Sequence, residues 1–161
     1  MADKITIRAV TMEDAEQLQK NCFSAMRLEQ VQKALRNTLV ASAEGKEYQV
    51  VAEVNDEVVG CATLIRDTHP LRSHRAGLFG IVVHPHHQKK GIARQLVDSL
   101  SEQAQAVGIK ILETSARADT GADLVYPRLG FTEYGRLPRG LLQPDGEKQV
   151  FDEVYFYRAL C

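Results

Sequence analysis

The chain has 161 residues, 44% apolar and 25% charged, with a formal net charge of −1. That length suits one domain over residues 1–161 with a core of its own, and the balanced, scattered charge excludes a basic arm for nucleic acid or an acidic tail. No cationic leader followed by an apolar stretch opens the chain, and no apolar run nears the ~18 residues of a membrane span, so a soluble, cytoplasmic protein with no membrane partner is expected.

Residues 4–10 (KITIRAV) alternate Ile5, Ile7 and Ala9 against polar neighbours, the period of a half-buried strand. Thr11 then caps a helix, with Asp14 three positions on and Ala15, Leu18, Cys22 and Phe23 facing inward. The spacing predicts a second helix over residues 27–42, with Val31, Ala34, Leu35 and Leu39 inside and Gly45 past its end. Two strands follow over residues 47–54 and 57–66, joined by the hairpin turn Asn55-Asp56. The polar connection 68–74 (THPLRSH) borders the next strand, residues 76–83, whose near-continuous apolar run predicts burial on both faces.

After a long helix, Gly108 is a stop signal and residues 109–115 (IKILETS) read as a central strand. Asp119 or Thr120 caps a short helix running to Arg128, ended by Leu129-Gly130. Residues 131–137 read as a strand, 138–148 as a loop with the turn Pro144-Asp145-Gly146, and 150–160 as a last strand. The order β-α-α-β-β-β-α-β-α-β-β fits a mixed sheet with helices on both sides. Cys22, Cys61 and Cys161 are widely spaced without a C-x-x-C, as in reduced thiols, and no Cys-His pair suggests a thiol nucleophile. His84, His86 and His87 lie close together, with His69 and His74 upstream, but their spacing argues against a metal site.

Residues 78–100 carry the chemistry. The strand ends at the turn His84-Pro85, and a polar loop, Gln88-Lys89-Lys90-Gly91-Ile92-Ala93, opens a helix at Gln88 with Ile92, Leu96, Val97 and Leu100 on one face. The first N–H groups of a helix have no intrahelical partner and lie at its positive end, so a loop curling into them cradles an anion. Gly91 lets the main chain come close to a phosphate-rich ligand, Ala93 keeps the next contact small, and Lys89 and Lys90 add charge at the rim. Gly80, inside the preceding strand, marks a bulge or close approach.

Gln88-x-x-Gly91-x-Ala93, after a strand ending Val83-His84-Pro85, resembles the acetyl-CoA signature of the GNAT family of N-acetyltransferases. Tyr126-Pro127-Arg128-Leu129-Gly130-Phe131 is similar to that family's second landmark, a Tyr followed by a Leu-Gly-Phe corner. The resemblance implies an α/β fold, a mixed, mostly antiparallel sheet of six to seven strands with about four helices, and acetyl-CoA as acyl donor. It implies that Ile81, Val82 and Val83 offer main-chain groups to the pantetheine arm, and that Gln88, Lys89, Lys90, Gly91, Ile92, Ala93 and Arg94 surround the pyrophosphate. It also implies a helical pair near the chain start that lies over the acceptor cleft, and pairing of two copies through the last strands.

Acetyl transfer needs a proton donor for the leaving thiolate and an acceptor for the amine proton. The resemblance places Tyr126 beside the thioester sulfur and at the cofactor, and a phenol of pKa about 10 suits that donor role; the alternative is a packing aromatic. Glu113 is the candidate base, because an acid inside an apolar strand needs water or a partner and some relatives use an acid there. The alternatives are a solvent-facing Glu113 and deprotonation through a water chain, since residues 78–83 hold no acid. The segment 135–152 is similar to the branch acting on small polar amines, which makes a small-molecule amine the expected acceptor. Two other readings stand beside it: a protein N-terminal or lysine acetyltransferase, and a non-catalytic acyl-CoA-binding module.

Overall fold

The computed structural model describes residues 3–143 and 146–160. Seven strands form one mixed sheet: β1 (Ile5–Ala9), β2 (Glu47–Val54), β3 (Glu57–Arg66), β4 (Arg75–Val83), β5 (Ile111–Arg117), β6 (Thr132–Leu142) and β7 (Val150–Ala159), in the order β1-β2-β3-β4-β5-β7-β6. Every neighbouring pair is antiparallel except β4 and β5, which run parallel. The helices are α1 (Ala15–Asn21), α2 (Leu28–Ala43), α3 (Ile92–Ala106) and α4 (Ala122–Arg128). The expected fold class stands, and β2 and β3 have the expected bounds. Asn55 and Asp56 between them both take positive φ, 51° and 69°, as a tight hairpin whose twist matches its strands requires.

The sheet buries both faces. On one, α1 and α2 place Leu18, Val31 and Leu35 over Val51, Val58 and Cys61. On the other, α3 seats Ile92, Leu96, Val97 and Leu100, all at most 1% exposed, over Ala62, Leu64 and Leu78. Each such side chain contributes about 2 kcal/mol, so this apolar stripe holds α3, and with it the preceding loop, in register with the sheet. Two alanines expected inside, Ala9 and Ala34, are exposed; Val10 takes the buried place at the end of β1.

The chain enters α1 through a short 3-10 turn anchored by Asp14, whose carboxylate accepts from the Thr11 N–H at 2.8 Å and from both ends of the Arg8 guanidinium at 2.9 and 2.7 Å. Arg8 also pairs with Glu53 on β2. Burial pushes the Asp14 carboxyl up, but the hydrogen bonds from Arg8 and Thr11 outweigh it and hold the group below its ordinary value. A carboxyl more acidic folded than unfolded stabilises the fold above its unfolded value, and that contribution drains away as pH falls through the folded one. Asp14→Ala is expected to lower unfolding stability by about 2 kcal/mol at neutral pH. In denaturant titrations the gap between variant and parent should close as pH falls below about 4.

Other elements depart from expectation for local reasons. The run 76–83 is not buried on both faces: Ala76 and Leu78 are buried, but Phe79 is 53% exposed. Pairing with β5 has ended by Phe79, and beyond it a bulge at Gly80 (φ 59°) slips the pairing with β3 between Cys61 and Thr63. The bulge resets the alternation, so Ile81 and Val83 join Leu78 on the α3 face while Val82 packs toward α1 and α2. The β4–β5 ladder is only three residues long, ending at Gly77 opposite Glu113, and from there the sheet splits open. β5 begins at Ile111, not 109, and α3 begins at Ile92 rather than Gln88. α4 is capped by Gly121 (φ 90°) rather than Asp119 or Thr120, and Gly130 (φ 89°) closes it as expected. β6 runs on through Pro138 to Leu142, where a loop was expected. It absorbs the proline in a bulge whose Arg139 N–H donates to Asp152 at 2.8 Å. Cys161 and most of the turn at 144–146 lie outside the described residues.

Candidate active site

Past the end of the short β4–β5 ladder, a cavity opens on each face of the split sheet. The larger, about 500 Å³, lies on the α3 face. Its floor is Ile81 and Val83, brought there by the Gly80 bulge; its walls are the loop before α3 and the start of α4. That loop is tightly folded. His84 Nδ1 accepts from the His86 N–H at 3.1 Å, and Gln88 Nε2 donates to the Val83 carbonyl at 3.0 Å. Lys89 and Gly91 both take positive φ, 63° and 81°.

The first helical hydrogen bond of α3 runs from Gln95 N–H to Gly91 C=O. The N–H groups of Ile92, Ala93 and Arg94, which line the cavity, therefore have no intrahelical partner. No acidic residue sits in the first turn of α3 to satisfy that positive end. A Cβ on Gly91 would stand in open space. The chain thus offers unpartnered amides, an open approach and the Lys89 ammonium to an anion, which fits the diphosphate of an acyl-CoA.

Across the cavity, the Tyr126 ring packs against Phe131 and Phe156 with centroids 5.7 and 5.3 Å apart. Its hydroxyl makes no hydrogen bond among the described residues, so it is free to meet a ligand. Arg94 reaches from α3 to the Arg128 carbonyl, and Arg158 donates to the Leu129 carbonyl at 3.3 Å, so α4 is clasped at its last turn. His87, expected as a loop residue beside the cradle, forms part of the wall, and its Nδ1 is buried without a partner among the described residues.

The second cavity, about 420 Å³, lies on the α1–α2 face of the same split. Phe79, Glu113, Tyr134, Glu153 and Tyr155 line it, with Arg66 and Asp67 at its rim. Glu113 is held in a fork by Arg75, at 2.8 and 2.6 Å, and accepts from the Tyr134 hydroxyl at 3.1 Å. Burial, then the Glu113 charge and hydrogen bond, push the Tyr134 phenol up; the same carboxylate raises Arg75. Glu153 accepts from Ser115 Oγ at 2.7 Å and from the Tyr155 hydroxyl at 2.6 Å. The segment 68–74 contributes no lining residue, though its Arg72 ties down Asp67 at 2.7 Å.

The structure therefore gathers Ile81, Val83, Gln88, Lys89, Gly91, Ile92, Ala93, Arg94 and Tyr126 around one cavity and sets Glu113 in the other. Lys90 stands apart, 3.4 Å from Asp3, and Val82 points away from the first cavity. Sequence reasoning missed Glu153, Tyr134 and Tyr155. The signal was present in β7, where Glu153, Tyr155 and Tyr157 share one parity against Val154 and Phe156.

A model of the acetyltransferase (GNAT) family matches residues 12–131. Among solved structures, a ribosomal-protein-alanine N-acetyltransferase from Brucella melitensis is 22% identical, covering 96% of this chain and 99% of that one, with a TM-score of 0.80. The structure of yncA, a putative acetyltransferase from Salmonella typhimurium with its cofactor acetyl-CoA, is 21% identical over 98% of this chain and 94% of that one, with a TM-score of 0.80. A spermidine N-acetyltransferase chimera from Vibrio cholerae and hSSAT is 17% identical over 97% and 95%, with a TM-score of 0.79. The chain belongs to the acetyltransferase (GNAT) family and is an acetyl-CoA-dependent N-acetyltransferase. Among the described residues, no helix is long and apolar enough to cross a membrane.

Proposed function

We propose that the acceptor is the primary amine of a small polar molecule, entering from the α1–α2 face, while the acyl donor occupies the α3 face. The observation that supports this most is the second cavity. It is small, lies beside the opening between β4 and β5, and is walled by carboxylates and tyrosines that suit an ammonium group. The donor brings the activated acyl group; the chain supplies position, hydrogen bonds and protons. Ile81 and Val83 line the path of the pantetheine arm, with Val82 contributing main chain only. The amides and side chains of residues 88–94 take the diphosphate, with Lys90 as an outer charge. Tyr126 returns a proton to the departing sulfur.

Glu113 faces the acceptor but is engaged by Arg75 and Tyr134. That engagement favours its serving as a fixed anion that orients a water or the amine over its acting as a freely exchanging base. A thiol-release assay with acetyl-CoA should show turnover on small di- and polyamines or amino-acid-like amines. Peptides presenting an N-terminal alanine or a lysine should give at least tenfold lower kcat/KM. Faster turnover on the peptides would overturn the small-amine reading and leave the transferase assignment standing.

A further inference from the structure

Three carboxylates line the acceptor-side cavity, and two are already neutralised: Asp67 by Arg72 and Glu113 by Arg75. Glu153 is different. Among the described residues its only partners are two neutral hydroxyls, those of Ser115 and Tyr155. The nearest cation by register, Arg117 opposite it on β5, is turned away. Its guanidinium lies 5.4 Å over the Phe151 ring and donates to Gln143 at 3.2 Å. A half-buried carboxylate whose partners among the described residues are neutral donors is suited to receive a cation.

Its position along the sheet matters as much as its charge. Glu113 sits at the last rung of the β4–β5 ladder, where the strands are still joined. Glu153 holds Ser115, two residues beyond that rung, beside the part of the split where β4 and β5 are no longer paired. Tyr134 and Tyr155, with centroids 6.1 Å apart, and Phe79 supply aromatic faces around it.

We infer that Glu153, rather than Glu113, is the carboxylate that receives the acceptor as an ammonium ion and takes its proton, which makes a cationic aliphatic amine the substrate class of this enzyme. This rests on the acceptor-side reading of the cavity given above. An N–H bond of the ammonium breaks and an O–H bond forms on Glu153, leaving the lone pair on nitrogen. The nitrogen forms its bond to the acyl carbon as the carbon–sulfur bond breaks. Tyr126 gives one proton to the sulfur and regains one from the nitrogen, and Glu153 releases its proton to solvent. The net change is one amide, one thiol and one proton from an ammonium and a thioester. The Ser115 and Tyr155 hydroxyls hold the carboxylate in place, and the hydrogen bond to Glu153 pushes the Tyr155 phenol up. The other titratable or charged groups on this face are Arg75 from β4, Glu113 and Arg117 from β5, Tyr134 and Tyr157 from β6 and β7, and Arg66, Asp67 and its partner Arg72 at and beyond the end of β3.

The test compares Glu153→Gln, Glu153→Asp, Glu113→Gln and Tyr134→Ala with the parent. Each is assayed by thiol release with diamines from pH 6 to 9, with acetyl-CoA binding measured by calorimetry to confirm the fold. In the parent, kcat/KM should stay nearly level across this range, because the cation is deprotonated inside the site. Glu153→Gln should lose about 100-fold at pH 7, and its kcat/KM should then climb about tenfold per pH unit, following the free amine. Glu153→Asp should restore the level profile, and Glu113→Gln should keep it. A level profile in Glu153→Gln, or a climbing one confined to Glu113→Gln, overturns the assignment. Tyr134→Ala should raise KM for the amine. If it does so while Glu153→Gln stays level, the proton role alone falls; if neither variant changes KM or profile, the acceptor site lies elsewhere.

Discussion

Tyr126→Phe is expected to lower kcat about 100-fold while acetyl-CoA affinity stays within about twofold. The ring is fixed by Phe131 and Phe156, so the phenylalanine keeps the packing and removes only the hydroxyl. That hydroxyl has no partner among the described residues, and Tyr126 lines the same cavity as the α3 amides. Its loss should therefore cost transition-state stabilisation and leave ground-state binding alone. Stopped-flow or steady-state thiol release for kcat, with calorimetry for binding, separates the two. An equal loss in both would make Tyr126 a binding residue; no loss in either would make it a packing aromatic and favour the non-catalytic module.

Gly91→Val should do the reverse, weakening acetyl-CoA binding by at least tenfold and lowering kcat/KM mainly through that loss. A φ of 81° is strained for any L side chain and most for a β-branched one. Among the described residues nothing lies within 4 Å of the added Cβ, so the side chain stands at the cavity wall. The strain amounts to about 1–2 kcal/mol, enough to move the loop amides but not to unfold the domain. Gly91→Ala shares the strain with a smaller obstruction and should fall between parent and valine. A variant that unfolds, seen as a lost thermal transition, would show that Gly91 serves stability rather than the ligand.

Much of this molecule is legible in local chemistry. The Asn55-Asp56 turn, the α3 stripe and the Gly130 stop each depend on residues within a few positions of one another, and the structure places them as read. What escaped depends on distant partners. The apolar run of β4 reads as doubly buried because its composition cannot reveal that β5 leaves after three rungs and exposes Phe79. β6 crosses Pro138 because it lies at the sheet edge, where a missing N–H costs nothing to a neighbour. Glu113 stands out in sequence as an acid among apolar residues, yet its partner Arg75 comes from another strand. Glu153 lies in a strand rich in tyrosines, and only the sheet order β5-β7-β6 shows that it shares a cavity with Ser115 and Tyr134. The loop and helix start at residues 84–94 are contiguous and readable; the second cavity is assembled from five strands and is not.

Residues 88–94 are expected to hold the diphosphate of acetyl-CoA through the unpartnered amides at the start of α3. Calorimetric titration of acetyl-CoA into the parent and into Gly91→Val tests it most directly. One site per chain in the parent, weakened at least tenfold in the variant with its thermal transition intact, is the expected result. No heat in the parent, or equal affinity in both proteins, would contradict it.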